Sequence, residues 1–251
     1  MTLPDLIPPE TTPFFAVLLI SASFLTSALT AALGLGGGTA MLAIMSTGLP
    51  VSSLLPVHGI VQLGSNFGRT VIQRMFINWH LVAWFTIGSV VGIAIGSPIA
   101  VIIPDTAAKI VLALFILWSV HGSKPKPDRV SRAYFIGGGI ITSIGTMVVG
   151  ATGPLVAALL AARGLIKQPL IATHATCMVV QHGLKILAFG LLGFAYAQWA
   201  PMLAAMIASG VAGTWVGTKL LDDLPERLFR AAFKITMTLL SFQIIWSALR
   251  A

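Results

Sequence analysis

The chain has 251 residues, 57% of them hydrophobic and only 9% charged, with a formal net charge of +8. Soluble domains carry about 25% charged residues, so this composition cannot cover a water-facing surface and excludes an ordinary soluble enzyme. Basic residues in a polytopic membrane chain mostly set topology, so the positive charge is no sign of a nucleic-acid partner.

In chain order, apolar runs predict spans at 13–34, 38–48, 51–72, 79–103 and 106–121, then at 133–150, 153–163, 168–192, 199–218 and 229–249. The leading stretch MTLPDLIPPETTP holds Asp5 and Glu10 but no basic residue. It lacks the positive region of a secretory signal, so the first run is expected as a retained span. Two runs, 38–48 and 153–163, are too short to cross about 30 Å as straight helices. Each follows a glycine-rich break, GLGGGT (34–39) or GATGP (150–154). A basic connector, HGSKPKPDRVSR (121–132), separates a first membrane unit (1–120) from a second (133–251).

The two units share spacing. His58 aligns with His174, Ser65 with Gln181, Asn66 with His182, Arg69 with Lys185 and Gly48 with Gly164. Gly92, Gly96 and Pro104 are spaced as Gly213, Gly217 and Pro225 are, and the glycine pairs suit close helix packing. If ten segments cross, Arg74, Arg163, Lys167, Lys219, Arg227, Arg230 and the connector's cations fall on one side. Only Lys109 and Arg250 then remain opposite. Re-entrant short segments would divide the same cations evenly. The expected fold is therefore an all-α polytopic membrane protein of about ten segments, two of them short, in two inverted five-segment repeats. Exposed Gly/Ala faces permit a homodimer without demanding one.

Within this apolar chain lie two polar stripes, HGIVQLGSNFGR (58–69) and HATCMVVQHGLK (174–185). Helical spacing puts His58, Gln62, Ser65, Asn66, Arg69 and Gln73 on one face, and His174, Gln181 and Lys185 on another, with Thr173 and His182 at its border. Lipid cannot satisfy these groups, so both faces should turn inward. One reading makes them interhelical hydrogen bonds. Arg69 and Lys185 could also snorkel to the interface. Against both stands the absence of any carboxylate within the spans, for buried cations without acids call for an anion from outside. The short helices point the same way, since a helix N-terminus opened by glycine is an anion site, and Pro154 suits its first turn.

Other chemistry is sparse. The single cysteine, Cys177, excludes an internal disulfide and a cysteine-based metal site, and reads as packing. No phosphate loop and no zinc-protease motif occurs. The histidines together with Cys177 leave a membrane-embedded metal or redox protein as one alternative, and the basic residues leave an anion channel as another.

GLGGGT, FINW (76–79), GATGP and a GxxxG followed by proline, in this order, resemble the sulfite exporter TauE/SafE family, also called the four-toluene-sulfonate uptake permease family. The resemblance spans essentially the whole chain. It implies a multi-pass transporter of the prokaryotic plasma membrane that moves sulfite, sulfoacetate or related sulfur anions without a cofactor. Many members have Ala-Thr-Ser at the opening of the third segment, where this chain has Val57-His58-Gly59, so the two histidines suggest a subgroup. The expected site pairs Arg69 and Lys185 as charge partners of the anion. His58, Gln62, Asn66, His174, Gln181 and His182 are expected to donate hydrogen bonds. Backbone at Gly37, Gly38 and Thr39, and from Gly153 through Pro154 to Leu155, is expected to complete the site.

Overall fold

The computed structural model describes residues 7–9, 11–33, 36–122, 131–165, 167–220 and 226–250. Lys124, Lys126, Asp128, Arg129, Asp5, Glu10, Gly34, Asp222, Asp223 and Pro225 lie outside the described residues. So do the side chains of Lys167, Lys219, Glu226, Arg227 and Arg230.

Among the described residues ten α-helices occur. They are α1 (Pro13–Leu33), α2 (Gly37–Met45), α3 (Val51–Ile72), α4 (Trp79–Ile102), α5 (Asp105–His121), α6 (Arg132–Val148), α7 (Gly153–Ala162), α8 (Lys167–Leu191), α9 (Ala200–Leu220) and α10 (Glu226–Arg250). Short 3₁₀ turns at Arg74–Phe76 and Tyr196–Trp199, which the hydropathy pattern does not announce, lead into α4 and α9. Starts follow local chemistry. Asn78 accepts from the Leu81 N–H (3.2 Å) to cap α4, and Ser131 accepts from the Tyr134 N–H (3.3 Å) to cap α6. Pro50 and Pro104 stand just before α3 and α5, where a missing N–H costs nothing.

Pro13–Ala31, Trp79–Ile102 and Tyr196–Gly217 are each long and apolar enough to cross a membrane. α2 and α7 are not: at about 1.5 Å per residue, their 9 and 10 residues reach about half of a 30 Å core. Both are interior, with Leu42, Ala43, Met45, Val156 and Leu160 fully buried. The outer faces are greasy instead: Phe14, Val17, Leu25, Ile87, Val90 and Ile95 are all exposed. Water would not tolerate so continuous an apolar surface, and a bilayer requires it.

The helices pack in pairs: α1 on α9, α4 on α6, α3 on α8 and α5 on α10, with α4 also against α8 and α3 against α9. Glycine sets the closest approaches. A Cβ added at Gly88 or Gly92 of α4 would fall on the carbonyl oxygens of Ile136 or Ile140 of α6. One added at Gly213 or Gly217 of α9 would fall on those of Phe24 or Ala28 of α1. The paired glycines are therefore helix-packing positions, as their spacing predicts. Gly213→Ala is expected to cost about 1–3 kcal/mol through overpacking, read as a lowered melting temperature in detergent. Gly183→Ala is the control, because no atom stands within 4 Å of its added Cβ.

Candidate functional site

α3 and α8 cross at the centre of the bundle and carry both polar stripes. Their polar side chains are buried: His58 is 0% exposed, Gln62 8%, Asn66 3%, Arg69 7%, His174 5%, Gln181 0%, His182 3% and Lys185 0%. Neither cation snorkels. Ser65 is half-buried, and Gln73 lies one residue beyond the end of α3.

Each half ties its short helix to its long one in the same way. His58 Nε2 lies 2.9 Å from the Gly38 carbonyl oxygen, and His174 Nε2 lies 3.0 Å from that of Gly153. A carbonyl oxygen only accepts, so both histidines donate Nε2–H, and the first turns of α2 and α7 are anchored through their own backbone. His174→Phe removes the partner of the Gly153 carbonyl. It is expected to lower stability by about 1–2 kcal/mol, measured as the melting midpoint, while His174→Gln, which can still donate, recovers part of the loss.

A cavity of about 40 Å³ lies where these first turns meet the stripes. The first half lines it with Gly38 and Thr39 of α2 and with His58, Gln62, Asn66 and Arg69 of α3. The second half adds Gly153 and Pro154 of α7 and His174 and His182 of α8. Thr30, Gly36, Ala151 and Met178, which the stripe reading misses, also border it. Thr30 had a signal, because Ser23, Thr26, Ser27 and Thr30 form a buried hydroxyl stripe at helical spacing on α1. Met178 is one turn beyond His174 on the same face.

Four expected site residues do not border the cavity: Leu155, Gly37, Gln181 and Lys185. Gly37 is pressed against the Thr26 carbonyl and the Thr30 hydroxyl, and leaves no room for a Cβ. Gln181 is a buried node: its Oε1 accepts from Thr152 Oγ1 (2.9 Å), and its Nε2 donates to Thr142 Oγ1 (3.1 Å) and Ser143 Oγ (3.0 Å). Lys185 Nζ donates to the Gly150 carbonyl oxygen at 3.3 Å. Cys177 is buried in the apolar cluster with Ile77, Phe85 and Phe135.

The electrostatics single out Arg69. One terminal nitrogen donates to Asn66 Oδ1 at 2.7 Å, while Nε and the other terminal nitrogen are buried without a partner. Asp105, paired with Lys109 at 3.9 Å, is the only carboxylate among the described side chains. The short helices add positive ends. Neither Gly36 before α2 nor Thr152 before α7 caps its helix with a side chain, and the Thr152 hydroxyl is committed to Gln181. The two ends are unequal, however. Pro154 has no N–H and the Leu155 N–H already donates to the Thr152 carbonyl (3.0 Å), so the α7 end offers less than the α2 end. The wall thus combines a guanidinium with two unpartnered nitrogens, positive helix ends and three imidazoles, a polar set in which the guanidinium and the helix ends are the donors suited to a small oxyanion.

Searches of curated proteins and of solved structures returned no match. A family model described as "Sulfite exporter TauE/SafE" does match, over residues 19–244, and the chain accordingly belongs to that family of membrane transporters.

Proposed function

We propose that the protein exports a small sulfur oxyanion, sulfite or a close relative, across the plasma membrane of a prokaryotic cell by alternating access. In this reading the cavity between the halves holds the substrate. The observation that carries it is Arg69, a guanidinium 7% exposed, with two nitrogens unpartnered and no carboxylate among the described side chains to neutralise it. Arg69 takes the anion directly, aided by the first turn of α2. His58, Gln62, Asn66, His174 and His182 orient the anion, and Lys185 and Gln181 act from behind the wall.

Size narrows the class. One water needs about 10–15 Å³ by the same measure, so about 40 Å³ suits an ion of a few heavy atoms. A sulfoacetate-sized ligand would require the halves to part. Ten crossing segments in two inverted repeats explain why the packing partners exchange when the halves are exchanged: α1·α9 answers α6·α4, and α3·α9 answers α8·α4. An inside-negative potential favours anion exit by about 2.3 kcal/mol per charge per 100 mV, so export needs no acidic coupling site.

Counterflow in proteoliposomes tests the proposal. Preloaded unlabelled sulfite is expected to accelerate entry of labelled sulfite. Flux without such acceleration would identify a channel, and no flux of any sulfur oxyanion would reject the reading altogether.

A further inference from the structure

The cavity wall holds acceptors as well as donors. His58 and His174 use Nε2–H on the Gly38 and Gly153 carbonyls, so in the neutral ring their Nδ1 atoms carry lone pairs. Nδ1 is buried with no partner in all three rings, those of His58, His174 and His182. A fully deprotonated oxyanion offers only lone pairs. It would satisfy Arg69 yet set an oxygen against the His174 Nδ1 lone pair, which has nothing to give. A single proton removes that conflict, whether it sits on a ligand oxygen and donates to Nδ1 or sits on Nδ1 and donates to the ligand.

We propose that the bound species is an oxyanion together with one proton shared between it and the imidazoles of His174 and His182, so that the transported unit is a hydrogen-bearing monoanion. The proposal rests on the cavity being the anion site. Its stoichiometry follows from the surroundings. His58 and Arg69 face the site from α3; His174 and His182 face it from α8, with Lys185 one turn further along that helix. α1, α2 and α7 contribute no titratable side chain to the wall, and α4 and α9, packed outside α8 and α3, contribute no residue to it. The His58 and His182 rings meet edge to face at 5.8 Å, so a second proton would enter beside the first and near the Arg69 guanidinium. One proton relieves the lone pairs, and two would repel. For a sulfite dianion this makes the transported charge minus one: the dianion and the proton enter the site together and leave together.

Calorimetry tests this with sulfite titrated into detergent-purified full-length protein, in paired buffers that differ in ionisation enthalpy. At alkaline pH, where sulfite is a dianion, uptake of one proton from buffer per sulfite bound is expected. At mildly acidic pH, where the ligand brings its own, the expected uptake is zero. Binding heats with no buffer dependence at alkaline pH overturn the proposal while leaving the cavity an anion site. Heats absent at both pH values overturn the anion site and the proposal with it. The His174→Phe/His182→Phe double variant, checked for folding by its melt, is expected to lose the uptake; an unchanged uptake would assign the proton elsewhere and overturn the proposal. Should that variant not fold, His182→Phe alone serves. It removes no hydrogen bond through Nδ1, and it is expected to weaken alkaline sulfite binding at least tenfold; undiminished binding overturns the proposal.

Discussion

Arg69→Gln is expected to make the ligand-free protein more stable and at the same time to erase its response to sulfite. The two effects have one cause. Arg69 holds its charge 7% exposed with one hydrogen bond to Asn66 and two bare nitrogens. Removing water from a charge costs several kcal/mol, and nothing among the described side chains repays it. A neutral amide, two bonds shorter, gives up the Asn66 contact but sheds the charge. The expected gain is about 1–3 kcal/mol, a rise in melting temperature of several degrees for a chain of this size. Binding moves the other way. Losing a buried charge partner costs roughly 2–5 kcal/mol, so affinity should fall from about thirtyfold to a few thousandfold. Wild type at about a hundred times its dissociation constant gains roughly 2.7 kcal/mol from ligand, and the variant should gain almost nothing. Melts of both proteins with and without millimolar sulfite check this. A variant that melts lower than wild type but keeps the full sulfite shift would make Arg69 a packing residue. Arg69→Lys keeps the charge but not the planar fork, so intermediate behaviour is expected.

Much of this was legible in the sequence because the relevant signals are local. The glycine breaks mark α2 and α7 within a residue or two of their observed starts at Gly37 and Gly153, since only glycine adopts the positive φ of 105° at Gly36 and 95° at Gly150 without strain. Helical period alone places His58, Gln62, Asn66 and Arg69 on one face. What the sequence could not give is the azimuth at which that face meets its neighbours. Arg69 and Lys185 occupy equivalent spacings, yet Arg69 borders the cavity while Lys185 turns to the Gly150 carbonyl. Gln181 reads as a ligand and is held instead by three hydroxyls on α6 and at the start of α7, contacts far apart in the chain. Thr30 is hard to read because a threonine in an apolar helix ordinarily bonds back to its own turn. It does so here, donating to the Thr26 carbonyl at 2.8 Å, and it still borders the cavity.

The inequality of the two cations yields the second large effect. Lys185→Met is expected to stabilise the protein while only weakening the anion response. Lys185 is 0% exposed, and its ammonium has the Gly150 carbonyl as its one hydrogen-bond partner, at 3.3 Å. That carbonyl does not depend on it, because Thr146 Oγ1 also donates to it at 3.1 Å. Methionine matches the unbranched stem and leaves no orphaned acceptor, so the change removes a buried charge without opening a new deficit. Replacing buried charge by apolar groups of similar volume is often worth about 1–4 kcal/mol of stability, and that range is expected in the melt. Affinity for sulfite should fall about tenfold, since a charge one step behind the wall acts through the field rather than by contact. The comparison with Arg69→Gln decides the assignment. If Lys185→Met abolishes the sulfite shift as fully as Arg69→Gln does, the ammonium must swing onto the anion, and the two halves would then grip it alike.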